Sequence, residues 1–157
     1  MKTVPGRLVS FLDENGVTFE TLHYPLDFTA QEKAADTHTP GIEFAKTVLV
    51  QVDERYVMAV LPAHHRVDLE RLRSLLGARR VRLAHEDETA PLFPDCDVGA
   101  EPPFGNLYEM PVYLASAMSD DRRITFSAGT HEHVIRMGFT DFRRLARPEV
   151  LDFSEAP

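Results

Sequence analysis

Two β-rich runs, Phe44 to Val52 and Tyr56 to Leu61, are separated only by Asp53-Glu54-Arg55, and that spacing leaves room for little but a tight reversal. The chain is therefore expected to build on a β-hairpin. Around it, Arg7 to Glu14 has Leu8, Val9, Phe11 and Leu12 at helical spacing and stops at Asn15-Gly16, while Val17 to Tyr24 alternates as a strand ended by Pro25. Thr29 and Glu32 make a capping-box pattern for a short helix over 29–36. Asp68 to Leu76 predicts a helix capped by Asp68 and stopped by Gly77. A strand is expected over 81–84, a short helix over 86–92 and a long Pro- and Gly-rich loop over 93–111. Strands follow at 112–115, 124–128 and 133–137, then a helix over 140–145 capped by Thr140 and an edge strand over 150–153. The strand connections are mostly too short for parallel crossovers, which predicts a mixed α/β (α+β) fold: a largely antiparallel sheet or barrel with helices packed on it. At 157 residues, the span 1–157 reads as a single domain.

Composition narrows the class. No apolar stretch approaches the ~18 residues of a membrane span, and no export signal is visible at Met1 to Pro5. The lone Cys96 rules out an intramolecular disulfide, so a cytoplasmic setting is expected. A net charge of −8 speaks against a protein that coats DNA through its overall field, and neither a DNA nor a membrane partner is expected. Residues 66–82 and 122–147 nevertheless each carry net +4, with nine acids and no Lys or Arg between them. Such blocks are either solvated faces or two local seats for a phosphate backbone, with Arg79 and Arg80 the first candidates for phosphate contact.

Three places could carry chemistry. Lys46 shares strand parity with Phe44, Val48, Val50 and Val52, so its ammonium lies on an apolar face and must snorkel out, lose its proton or meet a ligand. The segment Gly99-Ala100-Glu101-Pro102-Pro103-Phe104-Gly105-Asn106 joins two prolines to flanking glycines, a stiff loop suited to presenting fixed amides or to packing under Phe104. Ser127-Ala128-Gly129-Thr130-His131-Glu132-His133 leads small residues into a His-x-His pair, which with His64 or His65 could form a three-histidine metal site. The pair is incomplete by itself, and no metal or other cofactor is expected. Cys96 lies between Asp95 and Asp97, which disfavour its thiolate.

In order, Phe44-Ala45-Lys46-Thr47-Val48-Leu49, Gly99-x-x-x-Pro103-Phe104-Gly105, Phe126-Ser127-Ala128-Gly129-Thr130 and Thr140-Asp141-Phe142 resemble the YbaK/EbsC family, the prolyl-tRNA synthetase-associated or INS-like editing domains. The resemblance spans about residues 5–150 and implies a curved, mostly antiparallel sheet and a trans-editing hydrolase. Its substrate would be a mischarged tRNA, commonly tRNA-Pro bearing alanine or cysteine, met free or in a synthetase-tRNA complex. It places the family's lysine on Lys46 and its loop on Gly99 to Pro103. Lys46, Gly99 and Ala100 would then be catalytic. Thr47, Glu101, Pro102, Pro103, Phe104, Gly105, Ser127, Gly129, Thr130, His131 and Asp141 would shape the substrate pocket. An activated ester needs positioned water and a stabilised oxyanion rather than a covalent nucleophile or a metal. Lys46 would hold the phosphate or sugar of the terminal adenosine, and the loop amides would face the carbonyl. The alternatives are a non-catalytic aminoacyl- or nucleotide-binding module of the same fold and a metal-dependent hydrolase built on His131 and His133.

Overall fold

A computed structural model describes residues 2–24 and 43–157. In chain order the helices are α1 (Gly6–Glu14), α2 (Leu69–Leu76), α3 (Glu86–Leu92) and α4 (Phe139–Ala146). The strands are β1 (Phe19–His23), β2 (Phe44–Val52), β3 (Arg55–Pro62), β4 (Arg66–Val67), β5 (Val81–Leu83), β6 (Val112–Ala115), β7 (Arg123–Ser127), β8 (His133–Gly138), β9 (Glu149–Leu151) and β10 (Ser154–Glu155). The helix expected over 29–36 lies outside the described residues.

The expected hairpin forms, with Val52 opposite Arg55 and only Asp53-Glu54 turning between them. Asp53 takes a left-handed φ of 53°. Its Oδ1 accepts the N–H groups of Arg79 and Arg80 at 2.8 and 2.9 Å, pinning the hairpin tip to the entry of β5. Asp68 caps α2 by accepting the N–H of Arg71 at 3.0 Å, and Gly77 ends it at φ 62°, as the sequence predicts. The last helix begins at Phe139 after Gly138, so Thr140 lies inside it and does not cap it.

The main sheet runs β1-β8-β7-β2-β3-β6-β9, with β5 also on β2. Antiparallel pairs predominate, yet β2·β7, β3·β6 and β6·β9 are parallel. Those crossovers are supplied by long stretches of intervening chain rather than by the short connections read from sequence. The edge strand near the C-terminus is β9, while Phe153 turns inward and is fully buried. A two-stranded β4·β10 ribbon was not foreseen.

One topological detail sets up the site. Strand β3 occupies one edge of β2 along its length, so β7 and β5 share the other. On that edge of β2, among the described residues, β7 reaches only Phe44 and Ala45 and β5 only Val50 to Val52, so the sheet forks at residues 46–48. These three positions are half-buried between fully buried neighbours. The carbonyl of Phe44 accepts from Ala63 N–H on the β3 side, and that of Leu49 accepts from Ala84 N–H on the β5 side. By alternation, the backbone of Thr47 faces into the fork.

One core packs Leu8 and Leu12 of α1 and Phe142 of α4 against Ala45, Leu49, Phe126 and Ile135. The other parity of β2, Val48, Val50 and Val52, packs with Leu72 of α2 and with Phe153. Phe44, Tyr24 and Val134 form a third cluster. Lys46 shares the face of Phe44 and Val48, and so stands between the second and third clusters.

Candidate active site

Lys46 lies at the fork, half-buried, and burial lowers the pKa of its ammonium. Continuing the parallel register of Phe44 with Thr125 and Ala45 with Phe126 puts Ser127 beside Lys46 on the same face, where the two strands part. Across the hairpin Lys46 pairs with Leu61, which brings the residues after β3 into its field. His65 has its pKa lowered by burial, then by His64 and Lys46, and its Nδ1 lies 3.0 Å from Ser154 Oγ on β10. Sequence reasoning assigned His65 only to a metal set. The hairpin register, readable from the three-residue spacer, was the signal that places it near Lys46.

The 93–111 segment is a loop with one 3-10 turn at Gly105–Leu107. Gly99 adopts φ +89°, a conformation that suits glycine, and a Cβ there would meet the His131 ring at 3.4 Å. Glu101 is only 5% exposed. Its Oε2 accepts the Gly99 N–H at 2.6 Å. Burial raises the Glu101 pKa, opposed by hydrogen bonds from the N–H groups of Gly99, Glu101 and Ala100 and by the charge of His131. Against the expectation that the loop amides face a substrate carbonyl, the Gly99 N–H donates to Glu101 Oε2 and the Ala100 N–H donates to Asp97 O at 3.0 Å, both acceptors within the loop itself. The loop is docked on Gly129, whose N–H donates to Ala100 O at 2.8 Å and whose carbonyl accepts from Asp97 N–H at 2.8 Å. Pro102, Pro103, Phe104 and Gly105 are buried under this turn. Phe104 is fully buried, edge-on to Phe126 and Phe142. These four residues support the loop from beneath.

His131 falls in the turn before β8, its N–H on Asp97 Oδ2 at 3.2 Å and its Nε2 2.8 Å from Val98 O. Thr130 is buried, its hydroxyl 2.6 Å from His133 Nδ1. The His133 ring lies against His23, and His64 lies against His65. The histidines are thus committed to separate neighbours, and among the described residues no group of three metal-ligating side chains converges. Cys96 is buried, its thiol pushed up to about 12 by burial, with Tyr108 lowering and Asp95 raising it.

Asp141 is not brought to the site. It sits in the first turn of α4, 3.1 Å from Arg144, beyond the end of β8 that pairs with the start of β7. The length of β8 separates it from Ser127, roughly 17 Å at strand rise. Arg79 and Arg80 are also remote from Lys46. Their exposed side chains line a cleft of about 690 Å³ with Arg55, Glu54 and Tyr113 at the hairpin tip. The tip is seven residues along β2 from Lys46, roughly 23 Å.

Comparison with known proteins adds four findings. Residues 25–145 match the family model of the aminoacyl-tRNA editing domain. The chain is 27% identical over 153 residues to the multifunctional Ser/Thr-tRNA deacylase ProXp-y of Escherichia coli (strain K12), covering 94% of this chain and 90% of that protein. It is 29% identical over 152 residues to the proline--tRNA ligase of Staphylococcus aureus (strain bovine RF122 / ET3-1), covering 87% of this chain and 26% of the ligase. A crystal structure described as a candidate trans-editing enzyme for prolyl tRNA synthetase superposes with a TM-score of 0.84 at 21% identity, over 96% of both chains. At that identity the likeness speaks for the fold alone.

Proposed function

The chain belongs to the aminoacyl-tRNA editing domain family, its activity is aminoacyl-tRNA deacylation, and we propose that the ester is hydrolysed at the fork in the sheet beside Lys46. The observation that carries this reading is the register of β2 on β7, which ends at Ala45 opposite Phe126 just before Lys46 and Ser127, with the Gly99–Pro103 loop docked on Gly129 two residues further on. Water adds to the ester carbonyl, the carbon to ribose-oxygen bond breaks, and the proton given up by water ends on the departing ribose hydroxyl. Charge develops on the carbonyl oxygen. With the Gly99 amide engaged by Glu101 and the Ala100 amide by the Asp97 carbonyl, the donors at hand for that oxygen are the Lys46 ammonium, the Ser127 hydroxyl and the Thr47 N–H. The half-buried position of Lys46 strengthens its pull on that oxygen relative to a solvated lysine.

The loop shapes the amino-acid pocket, and His131, held by Asp97 and Val98, braces Gly99 from behind. The substrate is a mischarged tRNA carrying a small side chain. Serine and threonine are suggested by the name of the Escherichia coli relative, alanine and cysteine on tRNA-Pro by the resemblance to prolyl-associated editing domains. A second sieve of this kind serves synthetases that cannot reject small amino acids by binding alone. The tRNA body would reach Arg79, Arg80 and Arg55 at the hairpin tip, and the matched ligase makes a synthetase-tRNA complex the natural place to meet it. Residues 1–157 act as one editing unit, and the lone cysteine suits a cytoplasmic setting. The test is release of free amino acid from a panel of charged tRNAs: hydrolysis of one or a few mischarged species is expected, and none would refute the reading.

A further inference from the structure

Helix α1 packs Phe11 on Phe104 from beneath and grips the site loop from outside through Arg7. Arg7 Nε lies 2.7 Å from Asp95 Oδ2, Nη1 donates to Leu107 O at 3.1 Å, and the guanidinium stands 4.6 Å from the centre of the Tyr108 ring. The Tyr108 hydroxyl donates in turn to Asp95 Oδ1 at 3.1 Å and lies 3.3 Å from Cys96 Sγ. Asp95 and Tyr108 are the two shoulders of the loop that carries Gly99 to Phe104, so one guanidinium closes both. Ahead of the helix, Lys2 Nζ donates to Cys96 O at 2.9 Å. Pro5 is seated on Gly129, where a Cβ would fall 2.3 Å from Pro5 Cδ. Gly129 is the residue on which Asp97 and Ala100 dock. The contacts therefore run without a break from the N-terminal segment to the loop backbone at Gly99.

We propose that Arg7 is a positioning residue for deacylation, acting through Asp95 and Tyr108 to fix the Gly99–Pro103 loop against the pocket. The inference rests on the reading of that loop as a wall of the ester pocket. An ion pair with a partner as exposed as Arg7, at 42%, contributes little to global stability. Its value lies in geometry: an ion pair, a backbone hydrogen bond and a ring contact converge on one planar group, which a lysine cannot reproduce. Loss of Arg7 should therefore loosen the loop while leaving the sheet as it is, and small misplacements at a reacting centre are expensive in rate.

The experiment measures amide hydrogen exchange and single-turnover deacylation for Arg7→Ala and Arg7→Lys. In Arg7→Ala, exchange should quicken over residues 97–104 while β2 and β3 keep their protection. The hydrolytic rate should fall about tenfold, with the half-saturating concentration of charged tRNA within about twofold of the parent. Arg7→Lys should recover part of both effects. Should Arg7→Ala fold poorly, Asp95→Asn serves instead, since it removes the charge and keeps an acceptor for Tyr108. Unchanged loop exchange or an unchanged rate overturns the proposal, and so does a rise confined to half-saturation, which would make Arg7 a tRNA contact. A parent that deacylates no tRNA overturns the functional reading and the catalytic role with it, whereas an active parent with an indifferent Arg7→Ala overturns this inference alone.

Discussion

The carboxylate of Glu101 accepts the N–H of Gly99 at 2.6 Å, so an acid inside the site loop folds that loop back on itself. A buried carboxylate without donors would be strongly disfavoured, and the amides of residues 99–101 are what make this one tolerable. Glu101→Ala leaves the Gly99 N–H without its acceptor and should lose about 1–3 kcal/mol of unfolding free energy. Glu101→Gln keeps one acceptor oxygen and should lose less. Denaturant unfolding of the two variants decides the point, and an alanine variant as stable as the parent would show that the loop does not depend on its own carboxylate.

Stability should also depend on pH through Asp121. Its carboxyl is pushed up to about 7 by burial first, then by Glu43 and Asp120, and its Oδ2 has no hydrogen-bond partner among the described residues. The folded chain thus holds a proton that the unfolded chain, with the ordinary value of 3.8, gives up. The associated stability is fully present below about pH 4 and is lost as pH rises to about 7. Asp121→Asn should melt with the parent at pH 4 and above it at pH 8. Equal separation at both pH values would contradict this.

Phe104 ties the loop to the core, with its ring 5.9 Å from Phe11, 5.7 Å from Phe126 and 5.4 Å from Phe142. Phe104→Ala should lose about 3–5 kcal/mol, the range for a fully buried phenylalanine. Next to it, a Cβ on Gly105 would fall 2.5 Å from the Met110 carbonyl, so Gly105→Ala should also destabilise. Thermal melts test both, and a Phe104→Ala melt within a degree or two of the parent would mean the loop is not anchored there.

If the hairpin-tip cleft holds tRNA, charge reversal of Arg79 and Arg80 should raise the Michaelis constant for charged tRNA and spare a short aminoacyl-adenosine, which cannot span from the fork to the tip. The salt dependence of binding should correspond to about two or three phosphates. Equal damage to both substrates would assign these arginines to the fold, and no effect on either would leave the cleft as solvated surface.

Most of the elements were legible because local rules and packing agree in them. The Asp53-Glu54 turn, the Asp68 cap and the Gly77 stop are local chemistry, and the structure realises each. The parallel neighbours of β2 and β3 were not legible, since pairing across more than 50 residues leaves no local signature, as in Ala45 with Phe126 and Met58 with Val112. Thr140 illustrates the limit of a cap pattern: β8 runs on to Gly138 and starts the helix one residue earlier. Within the site, Lys46 and the stiff loop stood out because each broke a local rule. What the loop does with its amides was hidden, because nothing in the sequence marks Glu101, read there as a pocket residue, as the acceptor of the Gly99 N–H. Asp141 was carried by resemblance alone, and the length of β8 takes it away from the pocket.

The most direct measurement is single-turnover release of amino acid from mischarged tRNAs by the parent and by Lys46→Ala, with melting followed in parallel. Lys46 is half-buried with its pKa lowered by burial, so its removal relieves a desolvation cost and should leave the melt unchanged or slightly higher. Hydrolysis should fall by about 100-fold or more if the ammonium faces the developing oxyanion. Activity within twofold of the parent, on a protein that melts normally, would contradict catalysis at the fork.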